Sequence, residues 1–156
     1  MPAPQQHDHH RCISTAVETA RSLCEQRGVR LTPIRKRVLE LVWQSHKPAG
    51  AYDLLGQLSE EGFNSAPPTV YRALDFLLDL GVVHRISSLN AFVGCDHPGH
   101  EHDTGFFICT ECGDATELPA AGIERLHNDL RKTLGLNIAT SNHELTGLCA
   151  NCQASA

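Results

Sequence analysis

The chain is poor in aromatic side chains, which make up 5% of its 156 residues, and it has no surplus of positive charge. Thirteen Lys and Arg stand against eighteen Asp and Glu, a formal net charge of −5. The first shortage leaves little surface on which single-stranded bases could stack. The second excludes nucleic-acid binding held by bulk positive charge. No apolar run approaches the roughly 18 residues of a membrane-spanning helix, which predicts no membrane partner. Residues 1–11 are polar and His-rich, without the basic start and apolar core of a secretory signal. A cytoplasmic setting is therefore expected, where thiols stay reduced. Neither the HExxH helix of a zinc protease nor a nucleophile elbow is present, and nothing marks a pocket for a small-molecule substrate. An enzyme is not expected.

What the sequence has in excess is seven Cys and ten His. Its charge is also divided unevenly. Residues 1–86 carry ten Lys/Arg and nine Asp/Glu, whereas residues 87–156 carry three and nine. A near-neutral part followed by an acidic part predicts two regions with different jobs.

The pattern of apolar residues supports that division. Residues 1–10, with His7, His9 and His10, show no periodicity and read as a flexible tail. A helix is predicted over about Arg11–Arg27, with Ile13, Ala16, Val17, Ala20 and Leu23 on one face and Gly28 at its end. Thr32 reads as the cap of a second helix that has Pro33 in its first turn and Ile34, Val38, Leu41 and Val42 facing inward. A third helix places Ala51, Leu54, Leu55 and Leu58 on one stripe and stops at Gly62. A fourth begins near Pro67–Pro68, aligns Val70, Ala73, Leu74, Leu77 and Leu78, and closes at Gly81.

The period then falls to two. Val82–Ile86 and Ala91–Cys95 read as strands joined by a hairpin turn at Ser87–Asn90. Three helices and a hairpin outline a winged helix-turn-helix over residues 11–95, with the fourth helix as the reading element. A His/Asp/Gly loop follows, with the hinge at about 95–104. Residues 105–156 predict a small α/β unit: a strand ending at Cys109, a strand at Ala115–Leu118, a helix at about Ala120–Leu134 and a final strand at about Asn137–His143. The fold class is α+β.

Cys109-Thr-Glu-Cys112-Gly and Cys149-Ala-Asn-Cys152 are two C-x-x-C knuckles. Each lets two thiolates grip an ion from a tight turn, and together they complete a tetrahedral four-sulfur shell. A closed shell leaves no place for water or substrate, so this ion would be structural. The competing explanations are incidental Cys pairs or a thiol redox centre at Cys109/Cys112. A looser group lies upstream. Counting across the hairpin puts Val93 opposite His84, so Cys95 falls two residues along on the same face. Further ligands could come from His97, His100, His102, Asp103 or Glu117. A thiolate among imidazoles and a carboxylate suits Zn²⁺ better than ferrous iron. Cys12 and Cys24 read as half-buried apolar groups, and His46 and His127 as surface residues. A hydrolase using the His-rich loop, with Glu117 as general base, is the enzymatic alternative.

For DNA, the fourth helix turns Thr69 and Arg72 outward, with Tyr71 at the margin. An Arg at that depth can bond guanine O6 and N7. Free N–H groups at the helix start, with Thr69, would favour phosphate. Tyr52 opens the third helix, and Arg30 and the run Arg35-Lys36-Arg37 add local positive charge.

Residues 14–152 resemble the ferric uptake regulator family of bacterial metal-responsive repressors. The likeness rests on Arg30-Leu-Thr-Pro-Ile-Arg35, Ala51-Tyr-Asp-Leu-Leu55, Pro68-Thr-Val-Tyr-Arg-Ala-Leu74, Cys109-x-x-Cys112-Gly113 and Cys149-x-x-Cys152. Val70–Leu78, Gly81-Val-Val-His84 and Cys95 are most similar to the family's zinc uptake regulator branch. The resemblance implies a homodimeric, zinc-responsive repressor that binds an inverted-repeat operator on double-stranded DNA, with a C-terminal dimerisation domain. It implies a structural zinc on Cys109, Cys112, Cys149 and Cys152, and a regulatory zinc at the hinge on His84, Cys95, His102 and Glu117, with His97 or His100 as alternatives to His102. Glu124 and His143 match positions that hold a further metal in some relatives, which leaves a third ion open. An iron or peroxide sensor of the same family is the nearest alternative.

Overall fold

Helix α1 (His9–Arg27) opens the computed structural model, which describes residues 9–99 and 103–155. His7 and the His100 and His102 of the loop lie outside the described residues. The helix begins two residues earlier than the sequence predicts and takes in His9 and His10, although no apolar period reaches them. The chain divides into two units between Gly99 and His100.

In the first unit, α1 is followed by α2 (Pro33–Val42), β1 (Ala49–Gly50), α3 (Ala51–Glu60), α4 (Pro67–Leu80), β2 (Val83–Ile86) and β3 (Ala91–Gly94). Local chemistry sets the boundaries. The Thr32 side chain accepts from the Arg35 backbone N–H, and Pro33 takes the first turn, where a missing N–H costs nothing. Gly81 ends α4 at φ +78°, a left-handed conformation that a side chain disfavours. Val38, Leu39, Val42, Leu54, Leu58, Val70, Leu74 and Leu77 are almost wholly withdrawn from solvent at the centre of this unit. Burying each such side chain contributes about 1.5–3 kcal/mol, so the helices hold by packing their apolar faces together.

The wing is a three-stranded sheet in the order β1-β3-β2, not the two-stranded hairpin of the sequence analysis. Ala49–Gly50 is too short to show a period of two, yet it pairs antiparallel with Phe92 and Ala91. A 3-10 turn at Ser87–Leu89 joins β2 to β3, and Asn90 leaves it with φ +46°. His84 stands opposite Val93, as counting across the turn predicts.

The second unit contains β4 (Gly105–Cys109), β5 (Ala115–Glu117), α5 (Ala120–Leu134), β6 (His143–Gly147) and α6 (Ala150–Ala154). Its sheet has the order β5-β4-β6. β5 pairs antiparallel with β4, and β6 pairs parallel with it after the crossover through α5. Gly105 makes that crossover possible, because a Cβ there would lie 2.9 Å from both His143 Cβ and Ile123 Cδ1. The final strand corrects the sequence-based placement at Asn137–His143. The chain comes alongside Gly105 only at His143, and residues 137–142 serve as the connection from α5. The short α6, which no apolar period announces, carries the last Cys.

The packing of the wing generates a test. A Cβ at Gly94 would lie 2.1 Å from the indole of Trp43, the chain's single tryptophan. Gly94→Ala should therefore displace that ring and cost about 1–3 kcal/mol. A lowered melting temperature together with shifted Trp43 emission checks this; unchanged emission would contradict the packing.

Candidate metal centres and reading surface

Four thiols converge in the second unit. Cys109 ends β4, and the chain turns back at once: the Gly113 N–H donates to the Cys109 carbonyl at 3.0 Å, with Gly113 at φ +78°. The second knuckle forms where β6 runs into α6, with Cys149 as cap and Cys152 in the first turn. The Thr110 N–H donates to the Gly147 carbonyl at 2.8 Å and holds the two knuckles side by side. All four sulfurs lie within 4.8 Å of one another, and Cys112 and Cys149 Sγ are 3.9 Å apart. A tetrahedral ion with metal–sulfur bonds of about 2.3 Å needs sulfurs roughly 3.8 Å apart, which the Cys112–Cys149 pair already matches, so the donor set suits Zn²⁺.

The protonation of these thiols favours a cation. Backbone N–H groups of Cys149 and Cys112 point at the Cys109 sulfur, the former at 3.4 Å, and hold its pKa down to about 6. Cys152 is pushed up to about 12, chiefly by its pairing with the Cys149 sulfur. One thiolate forms readily, but its neighbours resist joining it, and a dication removes that conflict.

In the first unit, His84 on β2 and Cys95 just past β3 offer ligand atoms within 4.8 Å of each other. Cys95 is buried, and its backbone N–H donates to the Val82 carbonyl at 3.0 Å, which extends the strand pairing to Cys95 itself. Glu117 ends β5 in the second unit, opposite Phe106, and is half-buried there. His97 is exposed.

His127 corrects the sequence analysis. Expected at the surface, it is 2% exposed. Its Nδ1 lies 2.8 Å from Asp103 Oδ2 and its Nε2 lies 2.9 Å from His143 Nε2. The buried imidazole thus bridges a carboxylate on one side and a second imidazole on the other. The signal was present: His127 follows buried Ile123 by one helical turn on the inward face of α5. Glu124 is exposed on that helix.

On the reading surface, Arg72 and Tyr52 are exposed, Tyr52 by 71%, while Thr69 and Tyr71 are half-buried. Arg30 is exposed in the loop before α2. The start of α4 differs from expectation. Pro67 and Pro68 have no N–H, and the N–H groups of Thr69 and Val70 both donate to the Ala66 carbonyl, at 2.9 and 3.3 Å. The expected free N–H groups for phosphate are therefore absent from this first turn, and the Thr69 hydroxyl remains as a donor. The run Arg35-Lys36-Arg37 is also less available than its charge suggests. Arg37 bonds Glu61 through two nitrogens, at 2.6 and 2.7 Å, and Glu40 at 2.8 Å; Lys36 lies 3.7 Å from Glu40.

The model of the ferric uptake regulator family matches residues 26–146. The zinc uptake regulation protein of Escherichia coli strain K12 is 43% identical over 136 residues, 85% of this chain and 78% of that protein. A zinc uptake regulator solved in complex with zinc and DNA superposes with a TM-score of 0.81 at 38% identity, covering 96% of this chain and 98% of that one. The crystal structure of holo XcZur superposes with a TM-score of 0.78 at 43% identity, covering 91% and 99%.

The thiol chemistry predicts an order of reactivity. In metal-stripped protein, alkylation of Cys109 should rise as pH increases through about 6, well before Cys152, whose thiol persists to about pH 12. The pH at which labelling of each peptide reaches half its own maximum, read by mass spectrometry, checks this; coincident pH profiles for the two would contradict the arrangement.

Proposed function

Because the chain belongs to the ferric uptake regulator family, we propose that it is a homodimeric, zinc-responsive transcriptional repressor of zinc-uptake genes, acting on DNA in the cytoplasm. The observation that carries this reading is the pair of soft donor sets. Four sulfurs form one cage in the second unit, and a buried thiol stands beside an imidazole on the wing. The likeness to a zinc uptake regulator complexed with zinc and DNA supports the same partners here. Cys95 distinguishes this reading from an iron or peroxide sensor, since a thiolate selects zinc over ferrous iron. Membership in a family of regulators sets aside the hydrolase and thiol-redox alternatives.

Each subunit holds two zinc ions in this account. The first, on Cys109, Cys112, Cys149 and Cys152, has a complete protein shell and acts as a structural clamp. The second is held by His84, Cys95, His102 and Glu117, of which His102 lies outside the described residues. Its ligands come from the wing on one side of the Gly99/His100 division and from the second unit on the other. Loading it joins the two, and so restricts the spacing of the two reading helices in a dimer. A palindromic operator demands one such spacing, so zinc raises specific affinity; a coupling of about 1–3 kcal/mol shifts it roughly 5- to 150-fold. Arg72, Tyr52, Thr69, Tyr71 and Arg30 make the DNA contacts. A third ion at Glu124 and His143 would have to replace the His127–His143 hydrogen bond, so the account assigns two ions. Exposed Leu126, Leu134, Leu145 and Leu148 on and around α5 and β6 support dimerisation through the second unit.

Gel shifts of an inverted-repeat promoter fragment, with free zinc buffered across the titration and metal content measured, test the proposal. Binding should rise with zinc, and the dimer should hold four ions. Zinc-independent binding, or a response to ferrous iron alone, would contradict it. Cys95→Ser and His84→Ala should each keep the fold and the clamp ion, lose one zinc per subunit, and lose the zinc response. A variant that kept that response would remove these residues from the regulatory site.

A further inference from the structure

The cation at the start of α2 is placed unlike its neighbours. The Arg35 guanidinium carbon lies 3.7 Å from the centroid of the Phe76 ring, and Nη1 donates to the Arg30 carbonyl at 2.6 Å. Phe76 follows Arg72 by four residues on α4, so the ring that carries Arg35 shares a helix face with the exposed Arg72. The Arg30 carbonyl belongs to the loop between α1 and α2. That loop is tied at its start by the Val29 N–H on the Cys24 carbonyl at 3.0 Å, and at its end by the Thr32 cap. One side chain thus spans from the middle of the Arg30 loop to the reading helix.

We infer that Arg35 is a positioning residue for operator recognition: it holds the Arg30 loop against the Phe76 face of α4 and so fixes the separation of Arg30 and Arg72. This rests on the proposal that Arg30 and Arg72 contact DNA. The chemistry of Arg suits the task. Its flat, delocalised cation stacks on an aromatic face while its edge donates to a carbonyl, and a Lys ammonium cannot do both in this geometry. Half-buried and committed to these partners, Arg35 acts on DNA through the residues that it aligns.

The test uses the full-length, zinc-loaded protein and an inverted-repeat duplex enriched from a random pool by the wild type. Affinity for this duplex and for a scrambled one is measured by fluorescence anisotropy across a salt series, beside thermal melting. Arg35→Lys keeps the charge and removes the stack; Phe76→Leu removes the ring and keeps the Arg. Each should weaken binding to the selected duplex about five- to tenfold. The salt slope and the scrambled-duplex affinity should stay near wild type, while the melting temperature falls only slightly in Arg35→Lys and somewhat more in Phe76→Leu, whose ring also packs on the apolar core. The double variant should lose little more than either single one, because both break one interaction. Wild-type affinity in Arg35→Lys, with a salt slope flattened by about one phosphate in Arg35→Gln, would overturn the inference and make Arg35 a direct phosphate contact. Equal weakening on both duplexes with a lowered melting temperature would also overturn it, leaving a structural role. Arg30→Ala and Arg72→Ala separate this from the parent proposal. If they lose affinity while Arg35→Lys and Phe76→Leu do not, the inference alone fails. If they bind as wild type does, the contact assignment fails and the inference with it.

Discussion

Four sulfurs gathered within 4.8 Å cannot all be thiolates unless a cation sits among them, and the second unit is built around that constraint. Its sheet has only three strands, and few of its side chains are buried as deeply as those of the helical unit. β4 and the β6–α6 junction are distant in sequence, and both deliver their knuckles to one point. An ion there would crosslink the ends of the parallel pair, where a small apolar core has least to offer. The low pKa of Cys109 comes from the backbone N–H groups aimed at its sulfur, and the high one of Cys152 from the sulfurs crowded around it.

The helical unit works on a different principle. It has a continuous apolar core, and much of its surface charge is committed. Arg37 is held by Glu61 and Glu40, and Arg35 lies on Phe76. Arg72 and Arg30 remain exposed and individually placed, and in the proposed mechanism they are the cations that meet DNA. A head of that kind depends on the placement of each contact, because little diffuse attraction compensates for a misplaced one. The overall charge of −5 therefore describes the acidic second half of the chain more than the reading surface.

Much of this was legible because local signals agreed with the packing. Pro33, Pro67 and Gly81 mark helix ends where backbone chemistry demands them, and α5 runs over the predicted Ala120–Leu134. Turn counting paired His84 with Val93. The knuckles were plain from spacing. What was missed depends on tertiary partners. β1 is two residues long and exists only because β3 offers an edge, and β6 begins where the chain meets Gly105, not where its apolar residues begin. His127 reads as a surface residue in the sequence because no nearby motif shows Asp103 and His143 converging on it. The two prolines at the start of α4 do more than mark a boundary: they leave the first turn with no backbone donors to spare.

Zinc, in the proposed mechanism, acts through geometry. Two ions bring four positive charges and five ligand thiolates five negative ones, so a loaded subunit stays within about one charge of the formal −5. A switch of this kind should change how well the two heads fit an operator without changing how many phosphates they touch. The most direct measurement is the salt dependence of operator affinity for dimer carrying only the clamp ion and for fully loaded dimer. The account predicts parallel lines of log affinity against log salt, separated by a constant factor. A slope that steepens with zinc by one or more phosphates per subunit would show the ion acting by recruiting charge, and would contradict it.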